Sequence, residues 1–244
     1  MSFPKVSKDN KGKKDAVKVQ FLADSLEIVL DKEKCTGCCA CVRACPKEAF
    51  SRYQPEGPKE LFGKQIIYKK KKYQVPFIYD PLDCSYCGLC TFICPFDALR
   101  LKVNGEEVPP EKLKLVQEKA VPQLDYKNVK LEDGREVKVY TKGSLTIDVN
   151  MCNTGCYNCA EICPSGAISM KPDIVTKKRG EYEQELEIEI EESKCLYCGA
   201  CHEACPTGAL KLTIDEVCYS GEYNSPFWDE AVERLKISPD DTSA

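Results

Sequence analysis

The chain has 244 residues, 18 of them cysteine, and a formal net charge of −4. The slight acidity argues against nucleic acid as a partner, and no stretch approaches the roughly 18 apolar residues that span a bilayer. The first twenty residues lack the apolar core of a secretory signal. A reducing, cytoplasmic setting is therefore expected, where closely spaced cysteines read as metal ligands rather than disulfides.

Residues 1–20, MSFPKVSKDNKGKKDAVKVQ, read as a basic N-terminal arm. SLEIVLD follows and places Leu26, Ile28 and Leu30 on one face of a strand. It leads into CTGCCACVRACP, with Cys35, Cys38, Cys41 and Cys45, and then into CPKEAF. The latter reads as a helical turn begun by proline, whose missing N–H has no partner to lose there. A hairpin insertion is expected near 52–75, around YKKKKY. VPFIYD then precedes CSYCGLCTFICP, with Cys84, Cys87, Cys90 and Cys94, and CPFDAL follows. These elements make a first module over 21–105.

Residues 106–142 read as a linker with a hairpin, because Asp133-Gly134 separates two alternating runs. SLTIDV opens the second module, 143–218, with Leu145, Ile147 and Val149 on one face. It enters CNTGCYNCAEICP, with Cys152, Cys156, Cys159 and Cys163. This loop has one extra residue in its first gap, a bulge that Gly155 can absorb. CPSGAI and the strand ELEIEIEE lead to CLYCGACHEACP, with Cys195, Cys198, Cys201 and Cys205, then CPTGAL. In the tail, 219–244, SPFWDEAVERLKI reads as an amphipathic helix. Ser225 is its cap, Pro226 its first residue, and Phe227, Trp228, Ala231, Val232 and Leu235 its apolar face. That face docks on its own domain or on a partner, with its own domain preferred.

Three of the four phrases follow C-x2-C-x2-C-x3-C-P, the spacing of a bacterial-type [4Fe–4S] loop. A tight loop brings three thiolates to one cube and turns its amides toward the sulfides. Gly88 and Gly199, each directly after a ligand, allow close backbone approach. The fourth cysteine stands a helical turn away and serves the neighbouring cluster in two-cluster ferredoxins. Pairing phrases one with two and three with four gives four sites. The first is Cys35, Cys38 and Cys41 with Cys94; the second is Cys84, Cys87 and Cys90 with Cys45. The third is Cys152, Cys156 and Cys159 with Cys205; the fourth is Cys195, Cys198 and Cys201 with Cys163. A nested pairing, one with four and two with three, stays open at this point. Zinc is the competing metal, but its sites assemble from separated cysteine pairs rather than three thiolates in one run.

Cys39 and Cys218 fall outside the scheme and read as a small non-ligand and a packed thiol. The single histidine, His202, reads as an ordinary polar residue, with cluster tuning as the alternative. Tyr86 and Tyr197, each just before a second ligand, are expected to pack against their loops. Lys69 to Lys72 and EYEQELEIEIEE read as solvated strand faces. The fold class that results is α+β: two tandem bacterial-type 2[4Fe–4S] ferredoxin-like modules with hairpin insertions.

These loops resemble a polyferredoxin. CSYCGLCTFICPFDALRLKVNGE and the widened gap of CNTGCYNCAEICP are similar to the iron–sulfur polyferredoxin subunit of archaeal formylmethanofuran dehydrogenases, in a shortened form. The resemblance implies four [4Fe–4S] clusters and a place in an oxidoreductase complex of methanogenesis. The implied partners are a catalytic tungsten or molybdenum pterin subunit and further iron–sulfur subunits. The alternative host is another molybdopterin or tungstopterin oxidoreductase or a hydrogenase, and the specific rival is the four-cluster subunit of the bacterial molybdopterin oxidoreductases. Its loops widen between the second and third cysteines, whereas here the only widened gap is between the first and second, in phrase three. Two functions of other classes compete: a structural iron–sulfur scaffold, and a catalyst in its own right. The second has little support, because every candidate cluster has a full set of cysteines and the sequence offers no phosphate loop or nucleophile–base pair.

Overall fold

The computed structural model describes residues 3–9, 12–51, 67–68, 71–72, 75–152, 156–176, 182–224 and 226–238, with side chains left aside at 67–72 and 171–187. The chain runs β1 (Lys5–Asp9), β2 (Lys14–Gln20), β3 (Ser25–Asp31), α1 (Ala40–Ala44), β4 (Phe50–Ser51), β5 (Ile67–Tyr68), β6 (Lys71–Lys72) and β7 (Phe77–Ile78). Next come α2 (Leu89–Phe92), β8 (Leu99–Val103), β9 (Glu106–Val108), α3 (Lys114–Gln117), β10 (Gln123–Leu124), β11 (Lys127–Lys130) and β12 (Glu136–Val139). The remainder is β13 (Thr141–Ile147), α4 (Asn158–Ile162), β14 (Ile168–Thr176), β15 (Tyr182–Ile190), α5 (Ala200–Glu203), β16 (Leu210–Val217), β17 (Tyr219–Ser220) and α6 (Pro226–Leu235).

Strand pairing settles which phrases belong together. β3, before phrase one, pairs antiparallel with β8, after phrase two, and sets Leu26, Ile28 and Leu30 opposite Val103, Leu101 and Leu99. Such facing apolar pairs are the unit of sheet stabilisation. Between them, β4 pairs with β7. The second half repeats the plan. β13 pairs with β16, with Leu145 opposite Leu212 and Ile147 opposite Leu210, and β14 pairs with β15. Phrase one therefore goes with two and three with four, and the nested arrangement is not the one adopted. β13 carries a bulge at Lys142/Gly143. A Cβ on Gly143 would fall 1.8 Å from the Thr213 carbonyl oxygen, so only glycine admits this approach.

Residues 1–20 are not an arm over their described length. β1 and β2 extend the first sheet to the order β1-β2-β3-β8-β9. Asp15, Val17 and Val19 point inward and are buried, while Lys14 and Lys18 take the outer face. The lysine-rich composition had masked a period of two. Buried Asp15 is paired with Lys32 at 2.8 Å.

The helical turns also lie one step earlier than the sequence suggested. α1, α2, α4 and α5 each contain the third cysteine of a phrase and end before the fourth, and each proline follows its helix. A residue before proline is disfavoured in the α region, so the helix ends there. Cys45 and Cys163 cap α1 and α4 in extended conformation. The turns after the prolines are not helical. Each holds one residue at positive φ: Glu48 (52°), Asp97 (52°), Gly166 (64°) and Gly208 (67°).

The stretch read as a linker is packed. Leu113, Leu115, Val121, Leu124, Leu131, Val137 and Tyr140 are all buried. β11 and β12 pair across Asp133-Gly134, and the Lys138 amide donates to the Pro95 carbonyl at 3.0 Å. β10 pairs with β17 near the C-terminus. β5 and β6 pair within the 52–75 insertion, of which residues 52–66, 69–70 and 73–74 lie outside the described set, as do Ser225 and Asn153 to Gly155.

Helix α6 docks within the chain, against α1 of the first half and β16 of the second. Trp228 is fully buried, with its ring edge-on to Phe92 (6.1 Å) and Tyr219 (5.5 Å). Arg234 donates to the Cys45 carbonyl at 3.1 Å, and Ile237 bridges to Ile214. One hydrophobic core runs through both halves. Among the described residues, no helix is long and apolar enough to cross a membrane.

Candidate iron–sulfur sites

The loops are wound by left-handed residues at fixed places. Two residues after the first cysteine stand Gly37 (75°), Tyr86 (52°) and Tyr197 (47°). Directly after the second stand Cys39 (57°), Gly88 (84°) and Gly199 (93°). Successive reversals of this kind curl the chain into a nest of inward amides. The Gly37 amide donates to Cys35 Sγ at 3.4 Å and the Tyr86 amide to Cys84 Sγ at 3.3 Å. At the fourth cysteines, the Ala49, Ala98 and Ala167 amides donate to Cys45, Cys94 and Cys163 Sγ at 3.4, 3.3 and 3.3 Å. Phrase three departs from this plan. Tyr157, after its second cysteine, has φ −112°, so the widened gap is accompanied by a different backbone path.

Within each half the cysteines of the two phrases are electrostatic neighbours. Burial pushes Cys41 well above the ordinary thiol range, and Cys38, Cys39, Cys35 and Cys90 add to the rise. Cys94 is pushed up to about 11 by burial and by Cys38. Cys84 is likewise raised to about 11, with Cys87 and Cys45 as neighbours, and Cys90 lies among Cys87, Cys84, Cys45 and Cys94. In the second half, burial raises Cys159 to about 12 beside Cys156, Cys205 and Cys152, and it raises Cys152 beside Cys156 and Cys205. Cys201 is raised by burial and by Cys198, Cys163, Cys195 and Cys159. Thiolates packed this way lose hydration and repel one another. A cationic metal centre removes both penalties, so loading releases protons.

The residues fit an iron–sulfur cube. Cys163, Cys195, Cys198 and Cys201 line one pocket, whose walls are apolar at Leu145, Ile168, Leu196 and Leu212. Four soft thiolates in an apolar shell with amide donors suit such a cluster. Zinc needs thiolates about 2.3 Å from one point. Among the described residues, no three or more His, Cys, Asp or Glu side chains are gathered to hold a single ion.

The remaining candidates are accounted for locally. Cys39 is buried and its thiol donates to the Gly37 carbonyl at 3.4 Å. Cys218 is half-buried on the β16–β17 junction, 3.5 Å from Glu216 Oε1. His202 is buried within α5. Tyr86 is buried beside Cys84, and its phenol is pushed up by desolvation and that thiol. Desolvation and Cys195 likewise raise Tyr197.

Sequence reasoning missed three residues. Tyr140, fully within the core, donates its O–H to the Ile93 carbonyl beside Cys38 and Cys94. Arg43 and Glu203 form a buried ion pair at 3.2 Å. The signal for that pair was present: the two occupy the same place in phrases one and four with opposite charge.

Comparison with known proteins agrees with this geometry. A family model described as a 4Fe-4S dicluster domain matches residues 34–98 and again 131–209, each span holding two phrases. A ferredoxin of Methanothermococcus thermolithotrophicus is 31% identical over 77 residues, 31% of this chain and 97% of that protein. NADH-quinone oxidoreductase subunit I 2 of Aquifex aeolicus is 35% identical over 68 residues, which is 28% of this chain and 28% of that protein. A chain of the formate dehydrogenase–heterodisulfide reductase–formylmethanofuran dehydrogenase complex from Methanospirillum hungatei superposes with a TM-score of 0.73 at 23% identity. That likeness of fold covers 97% of this chain and 92% of the other.

Proposed function

The chain belongs to the 4Fe-4S dicluster domain family, and from that premise we propose that it holds four [4Fe–4S] clusters and relays low-potential electrons inside a formylmethanofuran dehydrogenase-type complex. One observation carries the reading: the dicluster domain matches twice, and each match holds two of the four cysteine phrases. The proposed ligands are Cys35, Cys38, Cys41 and Cys94; Cys84, Cys87, Cys90 and Cys45; Cys152, Cys156, Cys159 and Cys205; and Cys195, Cys198, Cys201 and Cys163. Bound clusters of this kind supply reversible one-electron transfer.

The chain's own residues do the rest. The amides of Gly37, Tyr86, Ala49, Ala98 and Ala167 donate to ligand sulfurs and spread their negative charge. Leu145, Ile168, Leu196 and Leu212 keep water from the fourth site. All-cysteine ligation favours the negative end of the range such clusters span. The host complex is proposed from the likeness of phrases two and three to the polyferredoxin subunit and from the fold shared with a chain of the Methanospirillum complex. The partners are then a catalytic pterin subunit and further iron–sulfur subunits, in the cytoplasm.

Anaerobic purification, metal analysis and EPR-monitored redox titration test this. About 16 iron per chain is expected, with every cluster oxidised at mildly positive potential. Near-zero iron, or clusters that stay reduced at such potentials, overturns the reading. Purification from the native source, with the co-purifying subunits identified, tests the host complex separately.

A further inference from the structure

The two halves touch at a charged contact built from the cysteine loops themselves. Arg43 stands two residues before Cys45, and Glu203 two before Cys205. Arg43 Nη1 lies 3.2 Å from Glu203 Oε1, with the side chains 17% and 4% exposed. The same nitrogen donates to the Cys38 carbonyl at 3.2 Å. Gly199, at φ +93°, faces both: a Cβ there would lie 3.4 Å from the Cys38 carbonyl oxygen and 3.7 Å from Arg43 Nη2. Loop one and loop four are thus in contact.

Neighbour relations inside each half complete an order. Helix α1, which carries Cys41 of the first site, packs against α2, which carries Cys90 of the second, and α4, with Cys159 of the third, packs against α5, with Cys201 of the fourth. From end to end, the sites then run second, first, fourth, third, which is not their order in the sequence. The contact is also braced. α6 spans α1 and β16, and its Arg234 donates to the Cys45 carbonyl of loop one at 3.1 Å. A buried ion pair is a weak source of stability, because desolvation offsets its attraction. Its place against two cysteine loops suits positioning and local charge.

We propose that Arg43 and Glu203 form the junction of the electron path, holding the first and fourth sites side by side as its inner pair and balancing the charge around them, with the second and third sites as its two ends. The inference rests on the cluster reading above. Both residues are positioning residues. Without Arg43, the buried Glu203 carboxylate is left beside the inner pair and opposes the negative charge that reduction adds. Without the Glu203 charge, Arg43 favours that added charge.

Redox titration of the loaded full chain, monitored by EPR, decides the matter. Arg43→Gln is expected to move two of the four midpoint potentials down, and Glu203→Gln to move the same two up. The other two stay in place, and iron per chain is unchanged. Should Arg43→Gln fail to load, Glu203→Gln alone carries the test. The shifting pair must persist in Cys152→Ser and Cys84→Ser backgrounds, each lacking one end site. Four potentials moving together, none moving, or a shifting member vanishing with Cys152 or Cys84 overturns the junction. Wild-type iron far below four cubes overturns the cluster reading instead.

Discussion

The two halves of the chain share a strand plan and differ in how they finish it. In the first half, the outer pair β3·β8 grows into a five-stranded sheet, while the inner pair β4·β7 is two residues per strand. In the second, the outer pair β13·β16 stands alone, and the inner strands β14 and β15 run nine residues each. What stays constant, outside loop three, is the path around the cysteines: strand, curled loop, one helical turn, proline, left-handed turn, strand. The thiols impose that path, and sheet length beyond it is free to vary. Each half nonetheless leans on the other, since α6 and residues 106–142 bury apolar side chains against a common core.

The largest effect tests that mutual dependence. Removing iron with a chelator under anaerobic conditions is expected to unfold the chain, because the buried thiols lose the cation that makes their packing favourable. Near- and far-ultraviolet circular dichroism should fall together in one transition. Two separable transitions would mean that each half keeps a core of its own.

Trp228→Ala comes next. Its ring is fully buried between Phe92 of the first half and Tyr219 near the end of the second. Truncation is expected to cost about 3–5 kcal/mol, read by denaturant unfolding of the iron-loaded protein. A cost below about 1 kcal/mol would show that α6 is not a strap between the halves.

Loop three is the exception within the second half, so it sharpens the comparison. Cys152→Ser is expected to remove one cluster and about a quarter of the iron, leaving the other three EPR signals intact. Unchanged iron would show that the widened loop does not use Cys152.

Much of this architecture was legible because cysteine spacing and strand alternation are local signals. The strands before the loops were visible as apolar runs such as Leu26/Ile28/Leu30. Less legible was whatever depends on partners far away in sequence. The pairing of β3 with β8 needs a register that no single run displays. β2 hid because its outward lysines outweighed Val17 and Val19 in composition. The position of the helical turns was misjudged because proline suits a first turn and also follows a last one. The left-handed residues were half legible: Gly88 and Gly199 announce such a position, whereas Cys39, Tyr86, Tyr197 and Glu48 do not.

That last contrast yields the smallest effect and the cleanest one. The turn after each fourth cysteine holds its third residue at positive φ, and the halves fill that place differently. The first half uses Glu48 and Asp97, the second Gly166 and Gly208. Asp97 has a separate reason to stay, since it pairs with Arg100 and Lys138. Glu48 is exposed and bears the left-handed strain on a long side chain. Such strain costs roughly 1–2 kcal/mol for an L-residue, against about 0.5–1 kcal/mol of extra chain entropy lost by glycine. Glu48→Gly is therefore expected to stabilise by about 0.5–1 kcal/mol. In the second half a Cβ on Gly208 would meet nothing within 4 Å, so Gly208→Ala isolates the backbone term. It is expected to destabilise by about 1 kcal/mol, with iron content unchanged in both variants. Thermal and denaturant melts of the loaded protein measure both. Shifts of the same sign would mean that the two turns are not conformationally equivalent, and that the repeat ends at the cysteines rather than continuing through the turn behind them.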